Sequence, residues 1–407
     1  MKVKNMSETK SLVDHVADPL ASAFPTISAT ISTSTPKNTA DVLFEQRGNA
    51  GLITLNRPKA LNALTLAMVR DITAALTAWN SDPTIQVVAI RGTNKVGKPS
   101  TPDALFGGFC AGGDIRFFHT AALTNDSALD DFFTEEYTLN YLIHNYPKPY
   151  IAFMDGVVMG GGMGLCQGAR LRVVTEHTKM AMPETNIGLF PDVGGGYFLS
   201  RCPGSVGEYL ALTGEVIGGD DAIDFGLADV KVDAASLHAL WDKLGAATFD
   251  EWNAINLGAS YAGKNCSTAL KKSQTDAHFG LLRVKHIIDS LEKTSGQTID
   301  TWAKKTAAVL RKRSPLMLHV TLEQIRKARS MSLAANLRME RDMVHNCFNL
   351  RPGALSETVE GIRALAVDKD YSPKWNPERI EDVKPGMADA FFISPWTDTT
   401  HPLRDLS

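Results

Sequence analysis

An α/β core followed by a helical C-terminal extension is the fold class this sequence predicts, and three observations predict it. From Val42 to about Val232, short apolar runs of strand type alternate with stretches of helical periodicity. Beyond Ala234 only the helical pattern continues. Two glycine clusters, Gly112-Gly113 and Gly160-Gly161-Gly162, fall where a strand gives way to a helix. The pattern divides the 407 residues into a segment at 1–40, the α/β core at 41–233, a helical region at 234–371 and a turn-rich tail at 372–407.

Taken in order, Ser22 through Thr39 is rich in Ser, Thr and Ala with almost no charge, the composition of a disordered segment. A mitochondrial presequence is Arg-rich and poor in acids. Residues 1–40 hold no arginine, include Glu8, Asp14 and Asp18, and lack an apolar stretch for secretion, so a cytoplasmic location is expected. Leu52 to Leu55 reads as a strand, Asn56 to Leu61 as a turn, Thr65 to about Trp79 as a helix and Val87 to Gly92 as a second strand. The polar, Gly- and Pro-rich stretch Asn94 to Gly108 predicts a surface loop. Phe132, Glu136, Leu139 and Ile143 share one stripe of a helix. Pro149 to Met154 reads as a buried strand, Cys166 to Ala169 as a continuing helix, and Asp220 to Ala228 as a helix and turn leading to the last core strand. Five helices follow, over Leu237–Leu244, Ala277–Leu291, Ile299–Arg311, Leu316–Arg329 and Leu333–Asn346. In the tail, Trp375, Phe391, Phe392 and Trp396 predict packing against the same chain or a neighbouring subunit.

The chemistry concentrates in Ala181 to Gly196, an apolar run punctuated by Gly and Pro that carries Glu184 and Asp192. Burying a carboxylate is costly unless it is paired, hydrogen-bonded or protonated, so two in one such loop point to acid/base or nucleophilic work. The bland alternative is that each caps a helix or satisfies a turn. Glycines between strand and helix let the backbone approach a ligand, and a helix N-terminus offers unpaired N–H groups. Two such turns can each donate one N–H to a single carbonyl oxygen, the geometry of an oxyanion hole. The glycine spacing fits no dinucleotide fingerprint, and no Walker lysine, Gly-x-Ser-x-Gly elbow, Cys-x-x-Cys pair or His-Glu-x-x-His motif occurs. Cys110 and Cys166 read as small core residues, and no metal site is expected. A net charge of −3 argues against nucleic acid as a partner, and no apolar run is long enough to span a membrane.

Four segments in this order, Leu55 to Leu64, Phe109 to Ile115, Gly156 to Gly164 and Met182 to Gly196, resemble the crotonase (enoyl-CoA hydratase/isomerase) superfamily over about Val42 to Pro385. The resemblance implies a crotonase-like spiral of repeated β-β-α units with a helical C-terminal extension. Three details favour its thioester hydrolases. The position matching the hydratases' first catalytic glutamate is Gly164, while Glu184 matches their second. Asp192 matches the hydrolase aspartate where hydratases place a small residue. Glu135 to Asn140 is similar to a helix segment of the hydrolases, in which the residue matching Glu136 is associated with substrate binding.

The implied reaction is hydrolysis of a short branched 3-hydroxyacyl-CoA, the 3-hydroxyisobutyryl-CoA of valine breakdown, with coenzyme A entering as part of the substrate and no separate cofactor. Gly113 and Gly161 would form the oxyanion hole; Glu184 would attack the carbonyl or activate water; Asp192 would orient water or substrate and assist proton transfer. Lys59, Ala60, Leu61, Ala111 and Asp114 complete the implied binding residues, with Arg57 beside them. A basic cluster at Lys304-Lys305 and Arg311-Lys312-Arg313 is a further candidate for phosphates, or else a solvated face. Two other readings stay open, a hydratase or isomerase and a non-catalytic interaction protein. Family members assemble as trimers or hexamers, so a homo-oligomer is a further expectation.

Overall fold

The computed structural model describes residues 38–94, 105–246, 267–297 and 301–407. All but residues 38–40 of the predicted N-terminal segment, and most of the predicted loop Asn94 to Gly108, lie outside the described residues.

Strands β1 (Val42–Arg47), β2 (Ala50–Leu55), β3 (Val87–Gly92), β4 (Tyr150–Met154), β6 (Leu171–Val174) and β8 (Val230–Lys231) form one sheet in the order β1-β2-β3-β4-β6-β8. β1 and β2 make an antiparallel hairpin, Arg47 opposite Ala50, and every later pairing is parallel. Strands β2, β3 and β4 are buried throughout, as interior strands of a sheet covered on both faces should be. Their side chains alternate between two cores. Ile53, Leu55, Val88, Ile90, Ala152 and Met154 face the larger one. Leu52, Val87, Ala89, Ile151 and Phe153 face a smaller one closed by Phe106 and Trp241. Phe106 therefore corrects the surface-loop expectation at its C-terminal end, because its ring packs on Phe153 and Trp241 at centroid distances of 6.1 and 6.0 Å. A second, two-stranded parallel sheet joins β5 (Val157–Met159) to β7 (Lys179–Ala181).

Helix α1 (Leu66–Ser81) starts at Thr65, whose side chain accepts from the Met68 N–H at 3.2 Å. It buries Met68, Val69, Ile72, Ala75, Leu76 and Trp79, the spacing of one helix face. Helices α2 (Ile115–Thr124) and α3 (Ala128–His144) follow. All four members of the predicted α3 stripe, Glu136 included, are buried. In the helical region the predicted helix Ala277–Leu291 is two helices, Ser267–Phe279 and Val284–Gln297. The break begins at Gly280, where a Cβ would lie 2.8 Å from the Asp276 carbonyl oxygen. The tail packs on its own chain: the Trp375 indole donates to the Lys312 carbonyl at 3.0 Å, and Trp396 lies beside His345 and under the Arg341 guanidinium.

Candidate active site

The first glycine turn is built around Asn62. Buried at φ 55°, it donates its amide to the carbonyls of Thr93 and Phe109 at 2.9 and 3.0 Å. The Leu64 N–H donates to Gly112 at 2.8 Å, and the Asp114 N–H donates back to Leu64 at 2.9 Å. That pattern leaves the Gly113 N–H between them turned the other way. The second turn starts helix α4 (Gly161–Cys166), whose first N–H has no intrahelical acceptor. The loops are joined by Cys110 N–H to the Val157 carbonyl at 2.8 Å and Met159 N–H to the Cys110 carbonyl at 2.9 Å. A Cβ on Gly161 would lie 3.4 Å from the Gly113 nitrogen, and one on Gly112 would lie 3.4 Å from the Gly161 nitrogen. The two N–H groups are thus neighbours. The expected helix Cys166 to Ala169 is corrected here, since α4 begins inside the glycine cluster and ends at Cys166. The glycines let the helix begin against the Cys110 loop: a Cβ on Gly162 would lie 2.4 Å from the Cys110 carbonyl oxygen.

Three carboxylates meet at these turns. Glu184 opens the 3₁₀ turn Glu184–Ile187 after β7, Asp192 precedes helix α5 (Gly195–Leu199), and Glu136 projects from α3. Together with Ala111, Gly112, Gly113, Gly160, Gly161, Phe118 and Leu365 they line a cavity of about 180 Å³. Their exposures are 6%, 6% and 2% respectively, so each has left water almost completely. Glu184 Oε1 would sit 2.8 Å from a Cβ on Gly160, and Glu136 Oε1 would sit 2.4 Å from one on Gly161, so both carboxylates rest against bare glycine backbone. Gly160 also has φ 50°, where a Cβ is strained.

Burial raises all three carboxyl groups. Asp192 is pushed up to about 6, with the Tyr137 hydroxyl opposing the rise. Glu184 is raised well above the usual range by burial and then by the Asp192 and Glu340 charges, and Glu136 by burial and then by Asp192 and Glu184. Groups this close release their protons as a set. Among the described residues, Glu136 Oε1 and Glu184 Oε2 have no hydrogen-bond partner, an unusual state for buried oxygens and one that a substrate would relieve.

Sequence reasoning missed Tyr137, whose buried hydroxyl donates to Asp192 Oδ2 at 2.9 Å. The available signal was its adjacency to Glu136, but nothing local says what a tyrosine hydroxyl meets. Leu365, also missed, reaches the cavity from the segment Arg363–Val367. The Arg57–Leu61 turn lies against the Phe109–Gly113 loop, through the Ala111 N–H bonded to the Leu61 carbonyl at 3.0 Å. Leu61 has φ 53°, and Lys59 and Leu61 are exposed while Ala60 is half-buried. Arg57 and Asp114 bond each other at 2.9 Å, and the second Asp114 oxygen accepts from the Phe117 N–H as the cap of α2. Arg311 is bound by Glu292 and Glu381, whereas Lys304 and Lys305 are exposed. Among the described residues no cluster of His, Cys, Asp and Glu could hold a metal ion, and no helix is long and apolar enough to cross a membrane.

A family model described as enoyl-CoA hydratase/isomerase matches residues 50–392. A mitochondrial 3-hydroxyisobutyryl-CoA hydrolase from Xenopus tropicalis is 40% identical over 87% of this chain and 89% of its own length. A probable 3-hydroxyisobutyryl-CoA hydrolase from Arabidopsis thaliana is 36% identical over 87% of this chain and 91% of its own. Among solved structures, a carnitinyl-CoA dehydratase from Mycobacterium thermoresistibile is 36% identical with a TM-score of 0.77, covering 87% of this chain and 97% of that one. An enoyl-CoA hydratase from Rhodobacter sphaeroides is 35% identical with a TM-score of 0.74, covering 87% and 98%. The crotonase-like spiral implied by the sequence motifs is therefore the fold observed. The cytoplasmic expectation is overturned: the Xenopus, Gallus gallus and Bos taurus relatives are all named mitochondrial. The expectation rested on the missing arginine, the acids Glu8, Asp14 and Asp18 and the lack of an apolar stretch, and it left out Lys2, Lys4 and Lys10, which supply positive charge to the same segment.

Proposed function

The chain belongs to the enoyl-CoA hydratase/isomerase (crotonase) family, and on that premise we propose that it hydrolyses 3-hydroxyisobutyryl-CoA to 3-hydroxyisobutyrate and coenzyme A, a step of valine breakdown. The observation that carries the reading is the cavity, in which Glu184 and Asp192 face two adjacent glycine turns while position 164 has no room for a carboxylate. A Cβ on Gly164 would lie 2.7 Å from the Asn140 amide nitrogen and 2.8 Å from Val193 Cβ. Addition of water across a double bond lacks its usual second carboxylate, whereas hydrolysis needs only one activated oxygen at a carbonyl held by donors.

In this mechanism the Gly113 and Gly161 N–H groups hold the thioester oxygen as it becomes an oxyanion, each such donor contributing ~2.7–4 kcal/mol. Glu184, with its free Oε2, either attacks the carbonyl to give a mixed anhydride or takes a proton from the attacking water. In either route the C–S bond breaks as the oxyanion collapses. In the first, water then cleaves the anhydride to free Glu184 and the carboxylate product, and over the whole cycle one proton of that water ends on the thiol by way of the carboxyl set. Asp192, oriented by Tyr137, positions the water and assists that transfer. Glu136 receives the substrate hydroxyl on its free Oε1. Lys59, Ala60, Leu61 and Ala111 contact the coenzyme A portion, and Asp114 serves the same subsite by holding Arg57 in place. The reaction uses no separate cofactor.

The solved relatives are named for hydration and dehydration, which favours a hydratase as the second reading. Thiol release from 3-hydroxyisobutyryl-CoA, with Glu184→Gln and Asp192→Asn alongside, tests the two. Release by the native protein that falls at least ~10²-fold in both variants supports hydrolysis. Change in enoyl absorbance without thiol release supports the hydratase instead.

A further inference from the structure

Glu340 is fully buried on helix Leu333–Asn349, yet no cation pairs with it among the described residues. Four N–H groups converge on it instead. Gly194 donates to Oε2 at 2.7 Å; Gly196, the Asn336 amide and the Gln324 amide donate to Oε1 at 2.9, 2.8 and 3.0 Å. The same Gln324 amide donates to the Pro191 carbonyl at 2.6 Å. Four donors with no acceptor favour the ionised form, while burial opposes it and pushes the group up to about 8.

These bonds bracket Asp192. Pro191 before it, and Gly194 and Gly196 after it, are tied to two helices of the C-terminal region. Between them Val193 adopts φ 53° and Gly194 φ 87°. A β-branched residue in the left-handed region is disfavoured and persists only where its surroundings over-determine it. Glu340 does not itself line the cavity, so it acts on the reaction through the loop.

We propose that Glu340 is a positioning residue for hydrolysis, clamping the Pro191–Gly196 loop through the Gly194 and Gly196 N–H groups so that Asp192 is held at the cavity, with Gln324 completing the clamp at Pro191. This rests on the hydrolase reading of Asp192 and Glu184. The glycine turns and the Arg57–Leu61 turn are built from other segments, so the clamp governs turnover more than acyl-CoA binding.

The test uses full-length protein with Glu340→Gln, which sets an N–H donor against N–H donors, and Glu340→Asp, which keeps the charge but draws it back. Thiol release from 3-hydroxyisobutyryl-CoA gives kcat and KM, and amide hydrogen exchange follows Gly194 and Gly196. Glu340→Gln is expected to lower kcat ~10- to 100-fold with KM changed less than ~threefold, and to speed exchange at both glycines, with Glu340→Asp recovering part of each. Should Glu340→Gln not fold, Gln324→Met removes the Pro191 bond and gives the same split in smaller measure. Unchanged kcat, unchanged exchange, or equal losses in kcat and KM would overturn the proposal. A native protein that releases no thiol would overturn the functional reading, and exchange at Gly194 and Gly196 would still decide whether the clamp exists.

Discussion

Tyr137→Phe removes a single oxygen atom from beside the cavity and leaves a buried ring in place. The lost hydroxyl donates to Asp192 Oδ2 at 2.9 Å and holds down a carboxyl group that burial pushes up to about 6. A hydrogen bond to a charged group contributes ~1.5–3 kcal/mol and one pKa unit corresponds to ~1.4 kcal/mol, so Asp192 should rise by a further ~1–2 units. Its ionised fraction at pH 7 then falls from ~90% to ~10–50%. The assay is kcat/KM for thiol release between about pH 5 and pH 9, with a thermal melt to confirm folding. The acid limb should move to higher pH by ~1–2 units, with a loss of ~2- to 10-fold at pH 7 that recovers at high pH. A limb that stays in place or moves down, or a loss undiminished at high pH, would refute the role of Asp192 as the group whose ionisation matters.

Gly161→Ala places a Cβ 2.4 Å from Glu136 Oε1 and 3.2 Å from Leu64 Cδ1, so either the Glu136 carboxylate is displaced from the cavity or α4 shifts and takes its first N–H with it. On the oxyanion role proposed for the Gly161 N–H, misplacing that donor is expected to cost ~10²–10³ in kcat, which steady-state thiol release will read. Gly164→Glu should not create a hydratase, because Asn140 and Val193 occupy its space; enoyl-CoA absorbance should stay constant with the purified variant. Stability should fall as pH rises. Asp192 and Glu340 are pushed up to about 6 and about 8, and Glu136 and Glu184 higher than usual, whereas in the unfolded chain such groups titrate near ~4. Above that value the folded state keeps protons the unfolded state has released, so the penalty starts near pH ~4 and grows through the folded pKa values. Thermal melts at about pH 5.5 should therefore exceed those at about pH 8.5, and the reverse order would contradict the burial account.

Much of the cavity was legible because its parts break local rules. Glu136 and Glu184 interrupt apolar patterns, and Gly113 and Gly161 stand where side chains would ordinarily fill a turn. Glu340 carries the same signal as Glu136, since Leu333, Leu337, Glu340, Val344 and Cys347 follow one helical stripe. It went unread because a single buried carboxylate on a helix does not reveal which backbone it meets. The helix break at Gly280 and the inward turn of Phe106 escaped for a related reason: both depend on what the rest of the chain packs against them.

By itself, then, the sequence determined the alternation of strand and helix, the two glycine turns and the carboxylates set among apolar residues, because each is written in residues adjacent along the chain. Tertiary structure alone decided their partners. Tyr137 meets Asp192 across 55 residues, and Glu340 meets Gly194 across 146. Distances that long in sequence are closed by the packing of whole elements: the Tyr137 bond to Asp192 exists only once α3 has packed within the core, and the Glu340 bonds to Gly194 and Gly196 only once the helical extension has docked on it.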